Sequence, residues 1–113
     1  MKAYTDLNQS KKLTEILPLE SADHFHIIGH LHTDGPKYEV IRSRNEVVET
    51  DKYWPCWSLA ALLRELPDTM LGKDKDGYVV MVETMGSGQT TFADNPVDAC
   101  YEMIIKLNEL KML

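Results

Sequence analysis

All four histidines of this 113-residue chain lie in one nine-residue stretch, "HFHIIGHLH". They alternate with mostly apolar residues, which predicts a strand with one apolar face and one histidine face. The histidine face consists of His24, His26, His30 and His32. Two histidines at i and i+2 lie about 7 Å apart on the same side of a strand, so they can chelate a metal ion if a third ligand joins them.

A third ligand is offered by the next segment, "KYEVIRSR", which also alternates and follows the turn sequence "TDGP". A tight reversal at Asp34-Gly35 makes the two segments an antiparallel hairpin and places His30 opposite Glu39. His30, His32 and Glu39 are therefore the best candidate metal ligands. The competing interpretation is a solvated strand face that binds nothing, and the sequence predicts no cofactor.

Cys56 stands in "PCWS", close to the start of the most strongly patterned helix. A thiol near a helix N-terminus is a better nucleophile, and a histidine on a neighbouring strand can act as its base. One alternative is therefore a Cys–His hydrolase. No oxyanion donor or orienting Asn is identifiable, so a buried structural Cys56 is the competing interpretation. Cys100 is expected in the core, and both thiols are expected to be reduced.

Tyr53, Trp54 and Trp57 cluster just before the same helix. Aromatic clusters usually pack in a core, but Trp and Tyr are also enriched at the centres of protein interfaces. We therefore take these three side chains as the candidate binding residues for a partner.

Three amphipathic segments and two hairpins must position these residues. The helices are predicted at Asp6–Leu17, within "YWPCWSLAALLRELP" and after the N-cap Asn95, and the middle helix begins at Ser58 or near Pro55. The second hairpin joins "YVVMVET" to "QTTFA" across "GSG", and "GKDKDGY" before it is predicted to be a loop.

The resulting order is α-β-β-α-β-β-α. Short hairpins give antiparallel pairs, and amphipathic helices must cover an apolar sheet face. We predict a single two-layer α+β domain over residues 1–113. Its antiparallel sheet has about four strands, in two hairpins, and two to three helices cover it.

Net charge and hydropathy limit the kinds of partner that the chain is expected to bind. The net charge is −6, and no stripe of Lys and Arg appears, which argues against nucleic acid. No segment reaches the roughly 18 apolar residues of a membrane span. The N-terminus lacks the apolar core of a secretory signal, so a cytoplasmic location and no membrane partner are expected.

Three stretches of the chain are similar to stretches of other proteins: "LPLESAD" (Leu17–Asp23), "PCWSLAALL" (Pro55–Leu63) and "DNPVDACYEMIIKL" (Asp94–Leu107). In these the chain resembles small uncharacterised proteins of gut-bacterial genomes and their phages or mobile elements. That family has no assigned activity. The resemblance implies a bacterial or phage cytosolic setting and supplies no catalytic residue.

No motif assembles a nucleophile, a base and a stabiliser. The sequence therefore predicts a non-enzymatic interaction module, without catalytic residues, that binds a protein partner or itself. The Trp54 and Trp57 region or the last helix is the expected contact surface. A divalent-metal-binding domain that uses the histidine face and a Cys56 hydrolase stay open as alternatives.

Overall fold

The computed structural model describes residues 2–30, 37–43, 52–84 and 87–113. The α+β class is confirmed, and a 3₁₀ turn at Leu19–Ser21 follows the first helix. The elements in order are α1 (Leu7–Leu13), β1 (His24–His30), β2 (Lys37–Ser43), β3 (Lys52–Cys56), α2 (Leu59–Glu65), β4 (Thr69–Asp74), β5 (Gly77–Thr84), β6 (Ser87–Ala93) and α3 (Pro96–Glu109).

The described strands form two three-stranded antiparallel sheets, in place of the one sheet of about four strands that was predicted. The chain divides into two compact units, Asp6–Trp57 and Met1–Thr5 with Ser58–Leu113. The first unit holds α1 and the sheet β2-β1-β3, and the second holds α2, α3 and the sheet β4-β5-β6. The two-layer stacking and the single domain over residues 1–113 stay predictions. No helix in the described ranges is long and apolar enough to span a membrane.

The first hairpin is antiparallel as predicted, but its register differs by two residues. His30 pairs with Lys37, and Glu39 pairs with Ile28, so the predicted pairing of His30 with Glu39 is wrong. The predicted turn at Asp34-Gly35 lies outside the described residues. A register shift of two residues does not exchange the two faces of a strand, because strand residues alternate with period two.

The predicted middle helix is a strand followed by a shorter helix. Lys52–Cys56 pairs with β1 and forms one edge of the first sheet. An edge position tolerates Pro55, which has no N–H to give to a ladder. The helix α2 begins after Ser58, whose hydroxyl accepts a hydrogen bond from the Ala61 N–H at 3.2 Å. Of the two predicted starts, Ser58 is confirmed.

The first helix is shorter than predicted, at seven residues, and is capped at its start. Asp6 Oδ1 accepts from the Gln9 N–H at 2.8 Å, and Gln9 Oε1 accepts from the Asp6 N–H at 3.0 Å. This capping box satisfies backbone donors that have no partner within the helix. The fully buried Leu13 then anchors the helix in the first unit, where α1 contacts β3.

The second unit contains the predicted β5–β6 hairpin and an additional strand. Part of the segment predicted to be a loop belongs to β4, which pairs with β5 along its length. The remaining turn is closed by Asp74, whose Oδ1 accepts from the N–H groups of Asp76 at 2.7 Å and Gly77 at 3.0 Å. Such a side-chain turn suits two strands joined by a short connection.

The last helix begins as predicted. Asn95 Oδ1 accepts from the Asp98 N–H at 2.9 Å, and Pro96 occupies the first turn. The helix contacts β5 and β6. The Thr91 hydroxyl of β6 donates to the Ala99 carbonyl at 2.7 Å. The side chains of the helix that are fully buried are Val97, Ala99, Cys100, Met103, Ile104 and Leu107.

Candidate functional site

The three candidate aromatic residues do not form one surface. Trp57 is fully buried, and its Nε1–H donates to the Ser21 hydroxyl at 2.9 Å. Tyr53 and Trp54 are exposed, but as neighbours on β3 they project from opposite faces. Tyr53 meets the Phe25 ring edge-on with centroids 4.8 Å apart. Trp57 is thus a core residue, and only Trp54 and Tyr53 are accessible.

Trp54 has a cation beside it. The Lys11 ammonium of α1 lies 5.1 Å from the centroid of the Trp54 ring. This distance falls within the range of a cation–π interaction, which contributes about 0.5–1 kcal/mol at an exposed site. The contact holds the indole against the helix within the first unit. Part of the Trp54 ring is therefore already occupied by the chain's own Lys11.

The histidine face is not uniformly solvated. His26 is only 3% exposed, so the prediction of an outward-facing ring is wrong at this position. Phe25, His26 and Ile27 are consecutive and all buried. Because consecutive strand residues project to opposite faces, both faces of β1 are covered here. β1 is the central strand of its sheet, with β2 and β3 on either side.

Strand pairing places His24 directly opposite Cys56. Directly opposed residues on antiparallel strands have Cβ atoms about 5 Å apart, on one face. Asp23 Oδ1 lies 3.1 Å from His24 Nδ1, but the two atoms do not have the geometry of a hydrogen bond. The order carboxylate, imidazole, thiol resembles the arrangement of a Cys–His hydrolase. Cys56 is fully buried, however, so no substrate carbonyl reaches its sulfur in this conformation.

The candidate metal ligands fall only partly within the described residues. His32 lies outside them, and the structure describes only the strand positions of His30 and Glu39. In the observed register, His30 and Glu39 lie two residue pairs apart along the hairpin. In the described part of the chain, no group of three or more His, Cys, Asp or Glu side chains is placed to hold a metal ion.

Cys100 is a core thiol, as predicted. It is fully buried in the apolar stripe of α3. Burial away from water disfavours the thiolate and raises the pKa of the Cys100 thiol from 9.0 to about 11. The thiolate is the nucleophilic form, so Cys100 is unreactive at neutral pH.

An apolar surface that the sequence analysis did not single out lies on the second sheet. Val80 and Val82 are buried, and Thr91, the cross-strand partner of Val80, bonds to α3, so the helix covers this face. The opposite face is here called the open face. Its apolar side chains are Met70, Val79, Met81 and Phe92, because Met70 pairs with Met81 and Val79 pairs with Phe92.

The open face is unusually accessible for its composition. Met70 is 67% exposed, Phe92 is 51% exposed and Met81 is 40% exposed. Single exposed apolar residues need no explanation, but a contiguous apolar patch marks an interaction site. Methionine side chains are flexible and polarizable, so a surface of this kind adapts to the shape of a partner.

A groove of about 670 Å³ extends from this face to one end of the sheet. Its open-face lining consists of Met70, Met81, Glu83, Gly88 and Thr90, and Asp68, Thr69, Val82 and Gln89 complete it. Glu83 pairs with Gly88, so no side chain stands opposite that carboxylate on the neighbouring strand. The glycine thereby widens the groove. The sequence signal was present: "YVVMV" is apolar at consecutive positions, which predicts apolar side chains on both faces of β5.

Comparison of the chain with protein-family models, curated proteins and solved structures finds no match. The functional assignment therefore depends on the geometry of the described residues.

Proposed function

We propose that this chain is a non-enzymatic interaction module that binds a segment of a protein partner on the open face of its second sheet. The observation that carries the proposal is the exposure of Met70, Met81 and Phe92 on one face of a sheet whose other face carries the buried Val80 and Val82. A bacterial or phage cytosolic setting, as the resemblance implies, belongs to the same proposal.

The two surfaces favoured by the sequence are less suitable. The apolar stripe of α3 is buried against its own unit, so it cannot meet a partner without unfolding. Trp57 is likewise buried, and Trp54 is in contact with Lys11. The open face is therefore the better candidate for an interface.

Peptides selected from a displayed random library on the unmodified chain test the proposal. Burying a methionine contributes about 2 kcal/mol, and Met70 and Met81 expose 67% and 40% of their surface. We therefore expect Met70→Ser with Met81→Ser to lose about 2 kcal/mol, or roughly thirtyfold in affinity. The matched control is Leu19→Ser with Leu110→Ser, which removes exposed apolar side chains elsewhere. Equal binding to both double variants would refute the proposal.

The Cys–His hydrolase is a second candidate, because His24 lies opposite Cys56 and has the Asp23 carboxylate 3.1 Å from its Nδ1. Its activity requires an opening that exposes the Cys56 sulfur. Thiol labelling of the native chain at pH 6 tests it, and a rate no faster than that of free cysteine removes it. The metal-binding alternative is tested by metal analysis of untagged protein purified without chelator.

A further inference from the structure

We propose that the segment bound in the groove is positively charged as well as apolar, with Lys or Arg flanking the residues that contact the open face. This inference rests on the proposed function and specifies the chemistry of the partner. It is carried by the charges and the shape of the groove end, where Asp68 and Glu83 accompany Met70 and Met81.

The two carboxylates are available to a partner. Asp68 and Glu83 are both exposed, and neither has a salt-bridge partner among the residues that the structure describes. No Lys or Arg contributes to the described lining of the groove. The Lys106 ammonium of α3 donates to the carbonyl of the lining residue Thr90 at 3.3 Å, but among the described residues it forms no ion pair with Asp68 or Glu83.

The groove offers the apolar side chains of Met70 and Met81 beside the carboxylates of Asp68 and Glu83, and this combination suits a long cationic side chain. Lys and Arg lay their methylene stems along apolar surface and keep the charged head at its edge. A stem over Met70 and Met81 brings the head to the carboxylates of Asp68 and Glu83. Gly88 leaves room for this, because a Cβ added there meets no heavy atom within 4 Å.

Charge also disfavours the other occupants of such a face. A second copy of the chain carries the same net charge of −6, so two copies repel one another as they approach. Nucleic acid meets the same repulsion, since its affinity depends on Lys and Arg contacts to phosphate. A cationic protein segment is attracted by the whole chain as well as by the groove.

The test uses the library-selected peptides and a pair of charge variants. Asp68→Asn with Glu83→Gln and Glu102→Gln with Glu109→Gln each remove two carboxylates, so both change the net charge from −6 to −4. We expect the first pair to weaken peptide binding roughly fivefold, and the exposed helix pair to weaken it less than twofold. Raising the salt concentration should erase most of this difference.

A substitution that changes only the shape of the groove tests whether peptides bind there, independently of the charge of Asp68 and Glu83. Gly88→Val adds a side chain to the groove at a position where a Cβ meets no heavy atom within 4 Å, and a β-branched residue suits a strand. We expect the urea midpoint to stay the same or rise while peptide affinity falls roughly tenfold or more, because the added side chain clashes with the occupant.

The outcomes distinguish the inference from the proposed function. Selected peptides rich in Lys or Arg that respond to both the charge variant and Gly88→Val support the inference. Neutral or acidic peptides that still depend on Met70 and Met81 overturn it and leave the proposed function standing. Peptides that ignore all of these variants overturn both. A dimer by light scattering that Gly88→Val dissolves identifies a second copy as the occupant and also overturns the inference.

Discussion

Trp57→Phe is the substitution for which burial and hydrogen bonding give the clearest expectation. It removes the indole N–H that donates to the Ser21 hydroxyl at 2.9 Å, a bond worth about 1 kcal/mol net. It also removes roughly 40 Å³ of ring from a fully buried site, which costs about 1 kcal/mol at about 24 cal/mol per Å³. We therefore expect the free energy of unfolding to fall by about 2 kcal/mol.

Urea unfolding followed by circular dichroism measures this change. A loss of about 2 kcal/mol lowers the midpoint by about 1 M for a small protein. Trp54→Phe is the matched control, because Trp54 is exposed and phenylalanine keeps a ring beside Lys11. We expect this control to change the free energy of unfolding by less than about 0.5 kcal/mol.

A double-mutant cycle isolates the hydrogen bond. Ser21→Ala alone leaves a buried indole donor without its acceptor and should cost about 1–2 kcal/mol. The same substitution in the Trp57→Phe background should cost about 1 kcal/mol less, since the donor is already gone. If Trp57→Phe is as mild as Trp54→Phe, or if the cycle shows no coupling, Trp57 is not the buried, bonded residue described above.

Three further substitutions test other parts of the structure. Gly77→Ala should lower the free energy of unfolding by more than about 1 kcal/mol, because Gly77 has φ +156° and an added Cβ lies 2.6 Å from a backbone oxygen. Gly88→Ala is the control and should leave the free energy of unfolding, measured with urea, unchanged or raise it. Asn95→Ala removes the side chain that caps α3 and should lower the free energy of unfolding by about 1 kcal/mol. The control Asn108→Ala changes an exposed residue and should lower it much less, as measured by thermal unfolding. Burial raises the pKa of Cys100 to about 11, so the folded state keeps its thiol proton where the unfolded state has lost it. The stability that this proton contributes is therefore present below pH 9 and is lost as the pH rises from about 9 to about 11. In Cys100→Ala, the free energy of unfolding measured with urea should not show this fall between about pH 9 and about pH 11.

The last helix was predictable because its signals are local. Asn95 and Pro96 define the start within two residues, and the apolar stripe repeats with the helical period. Each signal depends only on neighbouring residues in the chain. The same holds for the β5–β6 hairpin, where β-branched residues flank the glycines.

The strands β3 and β4 were missed because their pairing depends on distant residues. Lys52–Cys56 contains a proline and runs directly into a helical pattern, so periodicity alone assigns it to the helix. Its strand conformation is stabilised by β1, more than twenty residues earlier in the chain. The residues of β4 include glycine and three polar side chains, which are typical of a loop. In both cases tertiary pairing overrides local preference.

The histidine and methionine faces show one further limit of sequence patterns. Alternation divides a strand into two faces but does not say which face another element covers. The face carrying His26 was expected to meet water, and this residue is buried on the central strand of its sheet. In the second sheet α3 covers the Val80 face and leaves Met81 exposed, although both residues belong to one apolar run. A strand with apolar residues on both faces, beside a single long amphipathic helix, is therefore the sequence signal that should direct attention to an interface.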